Sequence, residues 1–107
     1  MTTITLPSSL TQAYGDVMRA AHPSQELPDS PRDLTVDHLD KLRCVCLFDI
    51  AVLEGALGIN GWFGHTPEEI DSEDPGAVLC LREDCMESRR LLAWTENQLR
   101  AMEGSDA

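Results

Sequence analysis

Cysteines are the residues of this chain best suited to metal or redox chemistry, and there are four of them: Cys44, Cys46, Cys80 and Cys85. Zinc sites usually take paired ligands from close spacings such as CxxC in loops. Here both pairs fall in segments of helical periodicity, and residues two apart on a helix point ~200° away from each other. We therefore predict no zinc site and interpret all four as buried thiols that pack as small hydrophobic side chains. A Cys46–Cys85 disulfide between helices is geometrically allowed but disfavoured in a reducing compartment.

The acidic segment 71–76, DSEDPG, is a second candidate for metal chemistry. Gly76 stands at the sixth position, as in an EF-hand calcium loop. However, Pro75 occupies the fifth position and Arg82 the twelfth, where a bidentate glutamate is needed. We predict no metal and no cofactor, and interpret the segment as a solvated acidic loop or a docking patch for a basic protein.

The sequence contains no clear candidate for a catalytic residue. The three histidines, His22, His38 and His65, are scattered, and none lies in a recognisable nucleophile context. With no nucleotide or metal motif beside them, we predict that the protein is not an enzyme and has no catalytic residues.

Asp49 is the single charge in the apolar run Cys44–Leu53. Its helical neighbours at 45, 46, 52 and 53 are Val, Cys, Val and Leu. Because an unpaired buried charge is costly, this carboxylate must face a groove or find a cation or other donors elsewhere. The candidate cations are Arg89, Arg90, His22 and His38.

Three helices position these residues. Apolar side chains recur every three or four positions over 9–22, 36–57 and 75–103, with Thr35 and Asp74 as N-caps of the second and third. Ser9 and Gln12 have the spacing of a capping box. The fold class is therefore all-α: a small helical bundle built on a long antiparallel hairpin, 36–57 with 75–103, and a shorter N-terminal helix packed across it. Helix 36–57 is apolar on about three sides, more than the other two helices cover.

The domain organisation follows from the length of 107 residues, which suits a single domain, 1–107. We predict frayed ends at 1–8 and 104–107, a proline-rich linker at 23–34 and an acidic connection at 59–74. Thr66, Pro67 and Glu69 predict one short helix inside that connection. The N-terminus lacks the features of a signal peptide, no run approaches the ~20 apolar residues of a membrane helix, and we predict a cytoplasmic protein.

The net charge of the chain limits the kinds of partner that it can bind. The formal net charge is −11, and no Lys or Arg occurs between Arg43 and Arg82. Such a surface repels phosphates, so we predict no direct binding to nucleic acid or membrane. The uncovered side of helix 36–57 predicts either a protein partner, basic in character, or a second copy of the chain in a two-fold dimer.

The sequence therefore favours a small acidic protein–protein interaction module: an adaptor, regulator or inhibitor that acts by docking. One alternative is a mimic of nucleic acid, of the phage-encoded type, that blocks a DNA- or RNA-binding protein. Another is a small-ligand-binding or enzymatic helical domain. The candidate interaction residues fall into three groups: the isolated charge of the apolar run, an aromatic pair, and the carboxylates of the acidic connection. They are Asp49; Trp62 and Phe63; and Glu68, Glu69, Asp71, Glu73 and Asp74.

Overall fold

The computed structural model describes residues 3–21, 26–28, 32–58, 61 and 64–105. A 3-10 turn at Ser8–Leu10 leads into α1 (Thr11–Ala20), which is followed by α2 (Val36–Leu57), α3 (Pro67–Glu73) and α4 (Ala77–Ser105). The two long helices, α2 and α4, pack closely against each other, and α1 packs against both of them. The predicted helical bundle, with a long hairpin and a shorter helix across it, is confirmed.

The core lies along one stripe of α2, because apolar residues recur there at the helical period. The buried residues of α2 are Leu39, Leu42, Val45, Cys46, Ile50, Leu53 and Ala56. Four of them, Leu39, Leu42, Val45 and Cys46, form one large cluster with Val17 of α1 and Leu91 of α4, both of which are completely enclosed. A smaller cluster, Ile50, Leu53 and Cys85, forms separately. The core therefore divides into a part that α1 covers and a part that it does not.

Thr35 caps α2, as the sequence predicts. Its hydroxyl accepts a hydrogen bond from the backbone N–H of His38 at 3.2 Å, and its own N–H donates to His38 Nδ1 at 3.1 Å. The reciprocal pair is a capping box in which histidine takes the usual place of glutamate. Two N–H groups that the helix itself cannot satisfy are thus satisfied by side chains.

Replacing Thr35 by alanine is expected to lower the free energy of unfolding by about 1 kcal/mol, the usual cost of losing such a cap. Thermal unfolding followed by circular dichroism measures the loss. Thr66→Ala is the matched control, because Thr66 caps α3 through the Glu69 N–H at 3.3 Å, but every residue of α3 is exposed or half-buried. An equal loss in both variants would contradict the placement of α2 at the centre of the core.

The N-terminal helix begins later than predicted, and the Ser9–Gln12 capping box is wrong. Leu10, at φ −106° and ψ 3°, is not α-helical, and the N-terminus of α1 has no side-chain cap. The preceding residues instead close a 3-10 turn, in which the Leu10 N–H donates to the Pro7 carbonyl at 3.0 Å. The helix ends at Ala20, because Ala21 is already extended at ψ 117°.

Residues 4–6, which the sequence analysis assigns to a frayed end, are held against the bundle. Ile4 and Leu34 form an antiparallel bridge through two backbone hydrogen bonds of 2.8 and 2.7 Å. Leu6 and Leu34 are both buried. This bridge ties the start of the chain to the segment that enters α2.

The fourth helix begins at Ala77, two positions after the predicted start at residue 75. Gly76 has φ +90°, a left-handed conformation that a helix interior cannot contain. Asp74, predicted as its N-cap, is instead the C-cap of α3, and its carbonyl accepts from the Ala77 N–H at 3.0 Å. The predicted short helix after Thr66 is confirmed as α3, and a glycine turn separates it from α4.

Candidate docking groove

An open groove of about 980 Å³ lies beyond the end of α1. One wall is α2, and its lining residues are Phe48, Asp49, Val52, Leu53 and Ala56. The opposite wall is the first turns of α4, with Ala77, Cys80 and Leu81. Arg19 and Ala20 of α1 close one end, and the other end is formed by Ile70 and the turn Asp74–Gly76. The groove thus marks the part of the bundle that α1 is too short to cover.

Asp49 stands on the α2 wall of this groove, half-buried. Its carboxylate Oδ2 accepts a hydrogen bond from the Ser88 hydroxyl of α4 at 2.5 Å. Among the described residues, no Lys, Arg or His forms an ion pair with it. The hydroxyl partner lowers the cost of partial burial without neutralising the charge.

None of the candidate cations that lie among the described residues pairs with Asp49. Arg89 pairs with Glu54, and His38 belongs to the cap of α2. Arg90 is exposed and forms no ion pair with a described residue, while His22 lies outside them. Of the three alternatives that the sequence allows for Asp49, the structure shows a groove and a neutral donor, the Ser88 hydroxyl, and no described cation pairs with it.

The four thiols fall into two classes. Cys46 and Cys85 are buried, while Cys44 and Cys80 are exposed, and all four are free. The prediction of buried thiols is correct for the first pair and wrong for the second. Burial and, secondarily, the negative charge of Asp49 raise the pKa of the Cys46 thiol to about 12. The same two causes raise the pKa of Cys85.

We expect two thiols to be alkylated rapidly by iodoacetamide in the native protein and the other two only after unfolding. The thiolate is the reactive species, so burial and a raised pKa both protect Cys46 and Cys85. Peptide mapping after brief alkylation should find the label on Cys44 and Cys80. Native labelling of Cys46 would contradict the burial assigned to the α2 core.

The acidic connection exposes its carboxylates on α3 and the turn that follows it. Glu68, Glu69, Asp71, Glu73 and Asp74 are all exposed. The carboxylate of Asp71 accepts from the Gly76 N–H at 3.1 Å, and that of Glu69 contacts His65 Nδ1 at 3.4 Å. Of the five, only Asp74 lines the groove. Trp62 and Phe63, the predicted aromatic anchor, lie outside the described residues.

A second apolar surface lies on the outer side of α2. Cys44, Leu47, Phe48 and Ala51 are all exposed there, with Leu47 at 45% and Phe48 at 62%. Spacings of three and four place them on one face of the helix. Phe48 is shared between this outer stripe and the groove. The prediction that α2 is apolar on more sides than the described helices cover is therefore correct.

Several groove residues were not predicted from the sequence to lie at a binding site. Val52, Leu53 and Cys80 carry no mark that distinguishes them from core positions, and their place in the groove depends on where α1 ends. The sequence did mark Ser88, because it is a polar residue in the apolar seam of α4. In the structure its side chain is completely buried. A buried hydroxyl requires a hydrogen-bond partner, and Asp49 is that partner.

Comparison of the chain with protein-family models, with curated proteins and with solved structures finds no match. In the described part of the chain, no three or more His, Cys, Asp or Glu side chains are grouped so that they could hold a metal ion. Within the same residues, no helix combines the length and the apolar character needed to cross a bilayer.

Proposed function

We propose that this protein is a small acidic interaction module, an adaptor, regulator or inhibitor that docks onto a protein partner through the groove between α2 and α4. The observation that carries the proposal is a mainly apolar groove of about 980 Å³ that the described residues leave open in the core stripe of the bundle. Apolar surface of this kind, bordered by polar residues, is typical of interaction sites.

Phe48 supports the assignment to protein docking. It is 62% exposed at the edge of the groove, so its aromatic ring is accessible to a partner. Aromatic residues are enriched among the residues that dominate binding energy at protein interfaces. A partner that covers Phe48 and fills the groove would bury an anchor of this type.

The four free thiols suit a reducing compartment, and the proposal places the protein in the cytoplasm. The outer stripe of α2 gives a second copy of the chain an alternative surface to cover. A homodimer through that stripe is compatible with docking, because most of the groove lies on the other side of Phe48.

A mimic of nucleic acid is the second candidate, favoured by the five exposed carboxylates of α3 and the turn after it. In that case binding would depend on charge repeated along a surface and not on the groove. The two candidates differ in their response to salt, because screening weakens exposed charge pairs far more than apolar contacts.

The test is affinity capture from the native host, followed by reconstitution with the purified captured protein. Calorimetry at low salt and at about 0.5 M NaCl, where the Debye length is below ~8 Å, gives the affinity and its salt dependence. The docking module is expected to keep most of its affinity and to show a negative heat-capacity change, the marker of apolar burial. A loss of a hundredfold or more would favour the mimic, since multiple phosphate-like contacts are lost together in salt.

A further inference from the structure

The groove continues the trough that α1 occupies. α1 packs between α2 and α4, where Ala13, Tyr14 and Val17 are buried in the large core cluster. It ends at Ala20, which forms the near end of the groove. The walls beyond that point belong to the same two helices. The chain itself thus shows which kind of element these walls accept, namely a helix with one apolar face.

The length of the open trough fits a short helix. Its α2 wall runs from Phe48 to Ala56, which is ~12 Å or about two helical turns. The far end is closed by Ile70 and the turn at Asp74–Gly76. An occupant therefore presents apolar side chains over two turns, at positions three and four apart.

The described residues that line the groove include two acids and one arginine, so their formal charge is net negative. Asp49 lies on one wall and Asp74 at the far end, and the exposed carboxylates of α3 lie next to Asp74 along the chain. Among the described residues that line the groove, Arg19 is the one basic residue, and its guanidinium pairs with Asp16. The hydroxyl of Ser88 leaves the charge of Asp49 in place. An occupant with a cation opposite Asp49 would be complementary, whereas one with a carboxylate there would be repelled.

On the basis of the proposed function, we infer that the partner's docking element is a basic amphipathic helix, which lays its apolar face on Phe48 and Val52 and directs a Lys or Arg to Asp49. This is the helix-in-groove mode of peptide recognition, with specificity added by one charge pair in an apolar wall.

The test is selection of a displayed library of random helix-biased peptides of about twelve residues, ~18 Å as a helix. Peptides are selected on the wild-type protein and counter-selected on Val52→Arg. The expected winners carry apolar residues at helical spacing and a Lys or Arg at one recurring position. Asp49→Asn is expected to weaken a winning peptide about fivefold, as the loss of a partly exposed charge pair does, and to reduce the salt dependence of its binding. Asp40→Asn, an exposed acid of α2 outside the groove, is the matched control.

Each of the other outcomes overturns a defined part of the proposal. Winners that lack a basic position, or that bind Asp49→Asn as well as the wild type, would overturn the basic helix and leave the docking groove standing. If no peptide distinguishes the wild type from Val52→Arg, the proposed function fails as well. A dimer that light scattering detects for the wild type and not for Val52→Arg would mean that a second copy fills the groove, which also overturns the inference. Circular dichroism of each variant excludes loss of fold as the cause.

Discussion

Replacing Leu42 by alanine is expected to lower the free energy of unfolding by about 2–5 kcal/mol. Leu42 is completely enclosed in the cluster that joins α2 to Val17 of α1 and Leu91 of α4. The truncation removes apolar contacts from all three helices at once and leaves a cavity. A chain of this length has a total stability of only about 5–15 kcal/mol, so the variant should lose a large part of it. Denaturant unfolding followed by circular dichroism measures the change.

The same helix supplies the control. Leu47→Ala deletes the same atoms from a side chain that is 45% exposed on the outer stripe of α2. Its free energy of unfolding should change by no more than about 0.5 kcal/mol, the usual range for surface positions. A loss at Leu47 equal to that at Leu42 would mean that the outer stripe is buried, either by an undetected partner copy or by a different packing of the bundle.

Val52→Arg is expected to weaken binding of the captured partner thirtyfold or more, a change of about 2 kcal/mol or above. Val52 forms part of the apolar wall of the groove and is half-buried. An arginine there fills the space that an apolar side chain of the partner would occupy, and its guanidinium would meet the partner's own basic residue. The fold should survive, because the long side chain can extend from the open groove into water.

Two controls place the effect in the groove. Leu79→Arg makes a comparable apolar-to-arginine change on α4 at a side chain that is 61% exposed and does not line the groove. Leu47→Arg does so on the outer stripe of α2. Neither should change the affinity by more than about twofold. If Leu47→Arg abolished binding and Val52→Arg did not, the partner would dock on the outer stripe.

The helical hairpin could be predicted because periodicity is a local property of the sequence. The stripe Leu39, Leu42, Cys46, Ile50 and Leu53 recurs at spacings of three and four, and Thr35 has the chemistry of an N-cap. The errors occur where local signals compete. At Ser9 a capping-box spacing lost to a 3-10 turn after Pro7. At Asp74, a good N-cap residue instead ends α3, because the glycine that follows turns the chain.

The groove could be predicted only in outline. The excess apolar surface of α2 was visible in the sequence, but the location of the opening depends on α1 ending at Ala20. The pairing of Asp49 with Ser88, two residues 39 positions apart along the chain, depends on the register between α2 and α4. No local pattern encodes that register. Likewise, the exposure of Cys44 and Cys80 depends on how the helices are rotated about their axes, since flanking apolar residues make both positions look buried.

The measurement that tests the docking groove most directly is alkylation of two native thiols in the presence of the partner. Cys80 lines the groove, and Cys44 lies on the outer stripe of α2. Both are exposed in the free chain, so each reports on one surface of the same molecule. The proposed function predicts that saturating partner protects Cys80 from iodoacetamide and leaves the labelling rate of Cys44 unchanged. Protection of Cys44 with Cys80 as reactive as in the free protein would contradict it.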